Sequence, residues 1–294
     1  MKLTCHSEYG DLRAVYLKHP REAMVNQQRI AQTWQALNFL APPDLSAAFS
    51  EYAVFESLLK IASPDLYYLP FHADVTMDSM YCRDASLATD FGVILCNMGK
   101  HARKPEPAAS RSAFEASGMR ILGVIESPGT LEGGDVAWLD TKTLAVGHTY
   151  RTNAAGIRQL RALVEPHGID VVVVQLPHYK GKNDVFHLMS ILSPIDRDLA
   201  VVYSPLMPIP FREYLLNRGF GLIEVPDNEF DSMGCNVLAI GPRQVVVVGG
   251  NPVTRSLLTS AGCTVHEYQG PNISVFGGGG PTCLTRPFMR TVHY

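Results

Sequence analysis

Residues 136–176 read VAWLDTKTLAVGHTYRTNAAGIRQLRALVEPHGIDVVVVQL. Two apolar runs flank the polar turn DTKT, the pattern of a β-hairpin over 136–147. Apolar spacing of helical period follows at 153–166. A short valine-rich strand then closes the unit at 170–176. The order is strand–strand–helix–strand.

The same unit recurs in both directions along the chain. Hairpins are expected at 86–98 (SLATDFGVILCNM), 191–203 (ILSPIDRDLAVVY) and 237–249 (VLAIGPRQVVVVG). Their turns repeat about every 50 residues, the scale of a repeated supersecondary unit. Helices follow at 105–117, 210–218 and 252–261, each ending near a glycine (Gly118, Gly219, Gly262) suited to a left-handed cap. Strands follow at 119–125, 221–226 and 264–268. The N-terminal part fits a fifth, split copy, with a strand at 12–18, a helix at 46–61 and a strand at 66–69. A last strand at 282–287 beside the N-terminal one would close a ring and leave only short, protected edges. Residues 21–43 do not fit the unit and read as an inserted lid with 38–40 at its tip. A length of 294 residues suggests two domains, but the repeat and the lack of any linker make residues 1–294 one domain.

Composition bounds the function. Apolar residues make up 46 % and charged residues 18 %, enough to build a core, and the net charge of −3 disfavours nucleic acid or an anionic membrane as partner. No apolar run is long enough for a transmembrane helix, and the N-terminus turns polar too early for a signal peptide. The six cysteines (Cys5, Cys82, Cys96, Cys235, Cys263, Cys283) are sparse and form no CxxC pair, which points to a cytoplasmic protein with reduced thiols. Histidine spacing suggests no metal site.

If the copies surround an axis, the loops before the hairpins meet on one face. They are 72–84 (HADVTMDSMYCRD), 126–135 (ESPGTLEGGD), 178–190 (HYKGKNDVFHLMS), 227–236 (DNEFDSMGCN) and 269–284 (QGPNISVFGGGGPTCL). Glu132, His187, Cys283 and the pair Asp78 and Asp84 thereby gather in one place. A thiolate that attacks, an imidazole that moves protons and a carboxylate that orients it are the set needed for nucleophilic catalysis. Alone, Cys283 would read as a small core residue and His187 as a surface or core histidine. Their matching positions in the repeat change that. The glycines 277–280 would let backbone approach a substrate closely, and no Gly-Lys-Ser/Thr follows to make them a phosphate loop.

With these residues in place, the chain resembles the guanidino-group modifying enzymes of the pentein fold. That family includes dimethylarginine dimethylaminohydrolases, arginine deiminases and amidinotransferases. The resemblance spans about 66–286 and is strongest at LEGGDVAWLDTKTLAVGHTYRTNAAGIRQL (131–160), where it is similar to the dimethylaminohydrolases. HLMS (187–190), PTCLTRP (281–287) and the aspartate spacing of MDSMYCRD (77–84) are similar too. The resemblance implies an α/β fold, a five-bladed propeller of pseudo-symmetric ββαβ units. It implies Cys283 as nucleophile, His187 as general acid and base, and Glu132 as its carboxylate partner. Asp84 would grip the guanidinium, Asp78 would face an α-ammonium, Arg103 and Arg151 would clamp an α-carboxylate, and Ser190 would line the substrate site. No cofactor is implied. The expected partner is a small guanidino substrate; a homodimer is the assembly considered, and the sequence does not fix the oligomeric state. The expected reaction is hydrolysis of the guanidinium C–N bond of arginine or an Nω-methylated arginine, giving citrulline and an amine. Amidino transfer to an amine acceptor and arginine deimination are the alternatives, and a non-catalytic member, as among ribosome-binding initiation factors, lacks the triad. Two positions depart from the pattern: Arg83 stands where the hydrolases carry Glu, and Met189 where they carry Lys and the deiminases Asp.

Overall fold

In four of the five repeats a tight turn returns the chain antiparallel, and in all five a helix then carries it back to add a parallel strand. The computed structural model, which describes residues 1–293, forms five small sheets in this way. The first repeat begins with β1 (Lys2–Thr4) and β2 (Asp11–Leu17). Its chain then passes through α1 (Pro20–Ala23), α2 (Gln27–Thr33) and α3 (Leu45–Leu59) to β3 (Asp65–Tyr68). The second repeat has β4 (Ser86–Thr89), β5 (Gly92–Leu95), α4 (Glu106–Ala116) and β6 (Ile121–Val124). The third has β7 (Val136–Trp138), β8 (Thr143–His148), α5 (Ala154–Val164) and β9 (Asp170–Gln175). The fourth has β10 (Leu192–Asp196), β11 (Leu199–Val202), α6 (Ile209–Asn217) and β12 (Gly221–Glu224). A one-turn helix, α7 (Asp227–Phe230), leads to the fifth: β13 (Leu238–Gly241), β14 (Gln244–Val248), α8 (Pro252–Ser260) and β15 (Thr264–Tyr268).

The ring closes where the C-terminal strand β16 (Thr285–Val292) pairs antiparallel with β2 and β1. This corrects the expected strand at 282–287, which begins three residues later and runs on to Val292. Residues 282–284 belong to a turn in which Thr285 Oγ1 donates to the carbonyls of Pro281 and Thr282. Beyond it, the buried Arg286 and Arg290 interrupt the apolar alternation that would have marked the strand. β1 was not anticipated, because three residues carry too little pattern.

Strand alternation explains the core. In β13 and β14, Leu238, Ile240, Val246 and Val248 pack with the first repeat and with Tyr52, Phe55 and Leu59 of α3. Their alternate neighbours, Val237, Ala239, Val245 and Val247, pack with the fourth repeat and with Leu215 of α6. Both faces of the inner hairpins are therefore buried, which is why those strands read as continuous apolar runs, whereas the outer parallel strands β3, β6, β12 and β15 are largely half-buried or exposed. In the third repeat Leu144, Val146 and Leu160 are fully buried, each contributing about 1.5–3 kcal/mol of apolar burial. The helix ends follow the expected glycine caps: Gly118, Gly219 and Gly262 have φ of +74°, +84° and +82°.

Segment 21–43 forms α1, α2 and a turn through Asn38, whose φ is +65°. Leu40 N–H donates to the Phe276 carbonyl (2.7 Å), and Lys100 Nζ donates to the Leu37 carbonyl (2.7 Å). Among the described residues no helix is long and apolar enough to cross a membrane.

Candidate active site

The loops before β4, β7, β10 and β13 and the turn before β16 line one cavity. Its outer chamber, of about 270 Å³, is bounded by Leu37, Asn38 and Leu40 of the inserted segment and by His187, Ser190, Asn236 and Cys283. A smaller chamber of about 30 Å³ holds Asp78, Asp84, Arg103 and Tyr81. Lys100, Arg151, His187 and Cys283 border both.

Backbone contacts build this arrangement from the LEGGD segment. Glu132 is fully buried, and its N–H donates to Thr152 Oγ1 (3.1 Å). Gly133 N–H donates to the Asp84 carbonyl (2.9 Å), joining two of the loops. The two glycines are required by close approach. A β-carbon on Gly134 would strike His187 Nδ1 and lie 2.7 Å from Asp84 Oδ1, and one on Gly133 would lie 2.5 Å from Arg286 Nη2. Asp135 then accepts from Leu188 N–H (3.0 Å) and Thr149 Oγ1 (2.7 Å), so it fixes the turn that carries His187. Burial pushes the Asp135 carboxyl up to about 6.

His187 Nε2 lies 2.7 Å from Glu132 Oε2. Glu132 also accepts from Lys100 N–H (2.9 Å) and from Arg151 Nη1 (3.4 Å at Oε1, 3.3 Å at Oε2). Burial alone would lower His187, but Asp135, Asp84 and Glu132 outweigh it and push the imidazole up to about 9. Burial opposes ionisation of Glu132 as well, yet His187 and Arg151 hold it well below the usual carboxylate range. The pair is thus an imidazolium–carboxylate at neutral pH.

Asp84 is divided between two tasks. Its Oδ2 makes a short contact with Arg103 Nη1. Its Oδ1 is buried with no hydrogen-bond partner and lies 3.9 Å from His187 Nδ1. An acceptor left in this state inside a cavity suits a cationic donor.

Cys283 is partly exposed, with Asn236 Nδ2 at 3.4 Å and Thr282 Oγ1 at 3.8 Å from its sulfur. Burial pushes the thiol above its ordinary value, Asp84 adds to this, and the contacts with Thr282 and Asn236 pull it back. Asn236 is held in turn by Thr282, whose N–H and Oγ1 both donate to Asn236 Oδ1 (3.0 and 2.9 Å).

Several expected roles look different in three dimensions. Arg103 was expected to be a free carboxylate clamp. Instead its Nε and Nη2 donate to Glu106 (2.9 and 2.8 Å), Nη2 also donates to the Tyr81 carbonyl (2.8 Å), and Nη1 binds Asp84. Arg103 is therefore the counter-ion of Asp84, because two buried carboxylates claim its guanidinium. Arg151 keeps an edge toward the cavity, with Nη2 3.5 Å from the Asp184 carbonyl. Asp78 already carries an ammonium, that of Lys100, at 2.8 Å. Ser190 borders the outer chamber, but its Oγ accepts from His187 N–H (3.1 Å) and so braces the turn that carries His187. The glycine run is not open to substrate along its length. A β-carbon on Gly279 would lie 2.5 Å from the Tyr81 ring, and one on Gly280 2.5 Å from Asn236 Oδ1. These glycines admit protein side chains.

Sequence reading missed Lys100, Asn236 and Asp135. Asn236 ends the one loop of the four before β4, β7, β10 and β13 that offered no carboxylate or histidine candidate, so its repeat position was the available signal. Lys100 stands in GKHARKPE without any pattern of its own.

Single ligand atoms of Asp84, Glu132 and His187 lie within 4.8 Å of one another, close enough to hold a metal ion. Both carboxylates are already paired with guanidiniums, and a dication there would face Arg103 and Arg151 at close range. The charge pattern suits a planar organic cation that shares Asp84 better.

Residues 43–290 match the model of the eukaryotic N,N dimethylarginine dimethylhydrolase family. The chain belongs to that family. A dimethylarginine dimethylaminohydrolase of Streptomyces coelicolor is 32 % identical over 72 % of this chain and 75 % of its own length. An uncharacterized protein of Bacillus subtilis is 27 % identical over 98 % of this chain and 96 % of its own. The solved dimethylarginine dimethylaminohydrolase of Pseudomonas aeruginosa superposes with a TM-score of 0.76 at 23 % identity, covering 94 % of this chain and 98 % of that one. An amidinotransferase of saxitoxin biosynthesis from Microseira wollei gives 0.79 at 15 % identity, over 99 % and 98 %. These two likenesses carry the pentein fold, the five-bladed arrangement expected from the repeat.

Proposed function

We propose that this protein hydrolyses the guanidinium C–N bond of an Nω-methylated arginine, releasing a methylamine and citrulline through a covalent adduct on Cys283. The observation that carries this reading is the unpartnered Asp84 Oδ1 beside His187, in a cavity floored by Cys283. A guanidinium donating to that oxygen presents its carbon to the sulfur and cancels the negative charge that helps keep the thiol protonated.

The chemistry then proceeds in two halves. As the substrate cation binds, the Cys283 thiol releases its proton to solvent, His187 being already protonated, and the thiolate adds to the guanidinium carbon to give a tetrahedral adduct. The His187 imidazolium, held charged by Glu132 and its neighbours, protonates the departing amine. The C–N bond breaks and leaves a thiouronium on Cys283. Neutral His187 takes a proton from water, the resulting hydroxide adds to the same carbon, and collapse restores the thiol and releases the ureido product. Every group named here comes from one chain. In this reading Asp135 and Ser190 position His187, and Asn236 positions Cys283.

Dimethylarginine, monomethylarginine, arginine and agmatine should be compared for ureido product. Arg151 provides the remaining cation for an α-carboxylate, so agmatine, which lacks one, should show kcat/KM lower by about 10²-fold, as expected for a lost charge-assisted contact. Efficient agmatine turnover would remove Arg151 from that role. Ureido product without added amine separates hydrolysis from amidino transfer, which would instead require an acceptor such as glycine.

A further inference from the structure

Behind the catalytic loop, three arginines are buried together where inner strands of several repeats meet. Arg83 precedes β4, while Arg286 and Arg290 stand on β16. Their exposures are 1 %, 5 % and 1 %. Glu8, between β1 and β2, takes Arg83 Nη2 at 2.7 Å and accepts from Trp138 N–H at 3.3 Å. The other contacts are to neutral carbonyls. Arg286 Nη2 donates to Arg83 O (2.5 Å), and Arg290 Nη1 donates to Gly10 O (2.6 Å) and Ala239 O (2.9 Å).

Carbonyls satisfy N–H groups but do not balance charge. Among the described residues, Glu8 is the carboxylate at ion-pair distance from this cluster. Asp11 acts on Arg290 only at longer range and is itself paired with Arg13 and His293. Three guanidiniums thus share one buried carboxylate. Burial lowers Arg286 and Arg290 to about 10, with Arg83 pushing both the same way and Glu8 opposing. Both remain charged at neutral pH. Five buried guanidinium nitrogens have no protein partner: Arg83 Nε and Nη1, Arg286 Nε, and Arg290 Nε and Nη2. The last two form a free fork, the edge of arginine that matches an anion. An uncompensated buried cation pays a heavy desolvation penalty, and arginine cannot escape it by losing its proton.

We infer that this axial cluster is a structural anion site, in which a small inorganic anion balances the excess charge of Arg83, Arg286 and Arg290. None of the three arginines lines either chamber of the cavity, although the charge of Arg83 reaches Cys283 and favours its thiolate.

The full chain should be dialysed into sodium gluconate and melted while chloride, bromide or phosphate replaces gluconate at constant ionic strength. At least one of these anions should raise Tm along a saturable curve, by about 5 °C at a hundredfold excess over its Kd. Arg290→Met should lose that dependence, and Arg286→Met serves if the first variant does not fold. Crystals of the unmodified chain grown with bromide or phosphate should show the corresponding anion against the Arg290 fork. An unchanged Tm in every salt, ordered water at the fork, an equal rise in the variant, or an anion peak without any stabilisation would each overturn the proposal. None of these readouts involves turnover, so failure here leaves the hydrolase reading untouched.

Discussion

Cys283→Ser should remove turnover, lowering kcat by at least about 10⁴-fold, while the variant still folds and binds its guanidino substrate. The sulfur is replaced by a smaller oxygen that can still accept from Asn236 and meet Thr282, so the fold around it is kept. What is lost is a nucleophile able to ionise beside His187. A serine hydroxyl has too high a pKa for an imidazolium–carboxylate pair to activate, because the imidazole is already protonated. The measurement is citrulline release from dimethylarginine, set beside calorimetric binding of the same compound. Mass spectrometry of the wild type quenched during turnover should show Cys283 heavier by the substrate less dimethylamine, because the amino-acid skeleton stays on the thiouronium carbon until water releases it. Residual activity within tenfold of wild type would abolish the covalent route, whatever the other residues do.

Most of what positions that cysteine could be read from the sequence, for a physical reason. A strand–strand–helix–strand unit buries both sheet faces, so each repeat prints its own apolar runs and glycine caps. Equivalent loops follow from equivalent strands, and that equivalence is what brings His187 and Cys283 to one cavity, with Glu132 against His187. The unreadable part is where charge replaces pattern. Arg103 looks the same in sequence whether it faces a substrate carboxylate or Asp84 and Glu106, and only the folding of α4 beside the first loop decides. Lys100 on Asp78 is a pairing across two repeats that no local spacing encodes. The glycines 277–280 signal close approach, but not that the approaching groups are Tyr81 and Asn236. β16 was misplaced because buried arginines, unlike buried valines, do not advertise a strand.

Those same charges make the site a graded system. Along the cavity, Lys100 pairs with Asp78, Arg103 with Asp84, and Arg151 with Glu132, each joining a cation to a carboxylate. In the proposed reaction a substrate guanidinium enters this series at Asp84 Oδ1, which has no hydrogen-bond partner. Binding a cation there adds no net repulsion to the thiolate and relieves one cause of its high pKa. The free enzyme should therefore alkylate slowly with iodoacetamide at neutral pH, since burial keeps the thiol protonated until substrate arrives.

Glu132→Gln should separate charge from shape in the proton-transfer step. The amide keeps the size of the carboxylate, but its single oxygen can accept from only one side, so its NH2 is turned toward either His187 Nε2 or the Lys100 N–H, both of which donate to Glu132. It removes one of the negative charges that hold His187 at about 9. Burial then weighs more heavily and the imidazole titrates lower. kcat should fall by about 10²–10⁴-fold, the usual range when an acid–base histidine loses its orienting carboxylate. The alkaline limb of the pH–rate profile, where His187 loses the proton needed by the leaving amine, should move to lower pH. Stability should change in step. Because the folded value lies above the ordinary 6.5, the stabilisation is complete below about pH 6.5 and is lost as pH rises toward 9. In the wild type that loss is on the order of 3 kcal/mol, read as a lower urea midpoint at pH 9 than at pH 6. The variant should lose less over the same interval, since its histidine gains less from its surroundings. A variant whose alkaline limb and urea midpoints track the wild type would mean that Glu132 does not set the His187 proton, and the acid role would have to pass to another group facing Cys283.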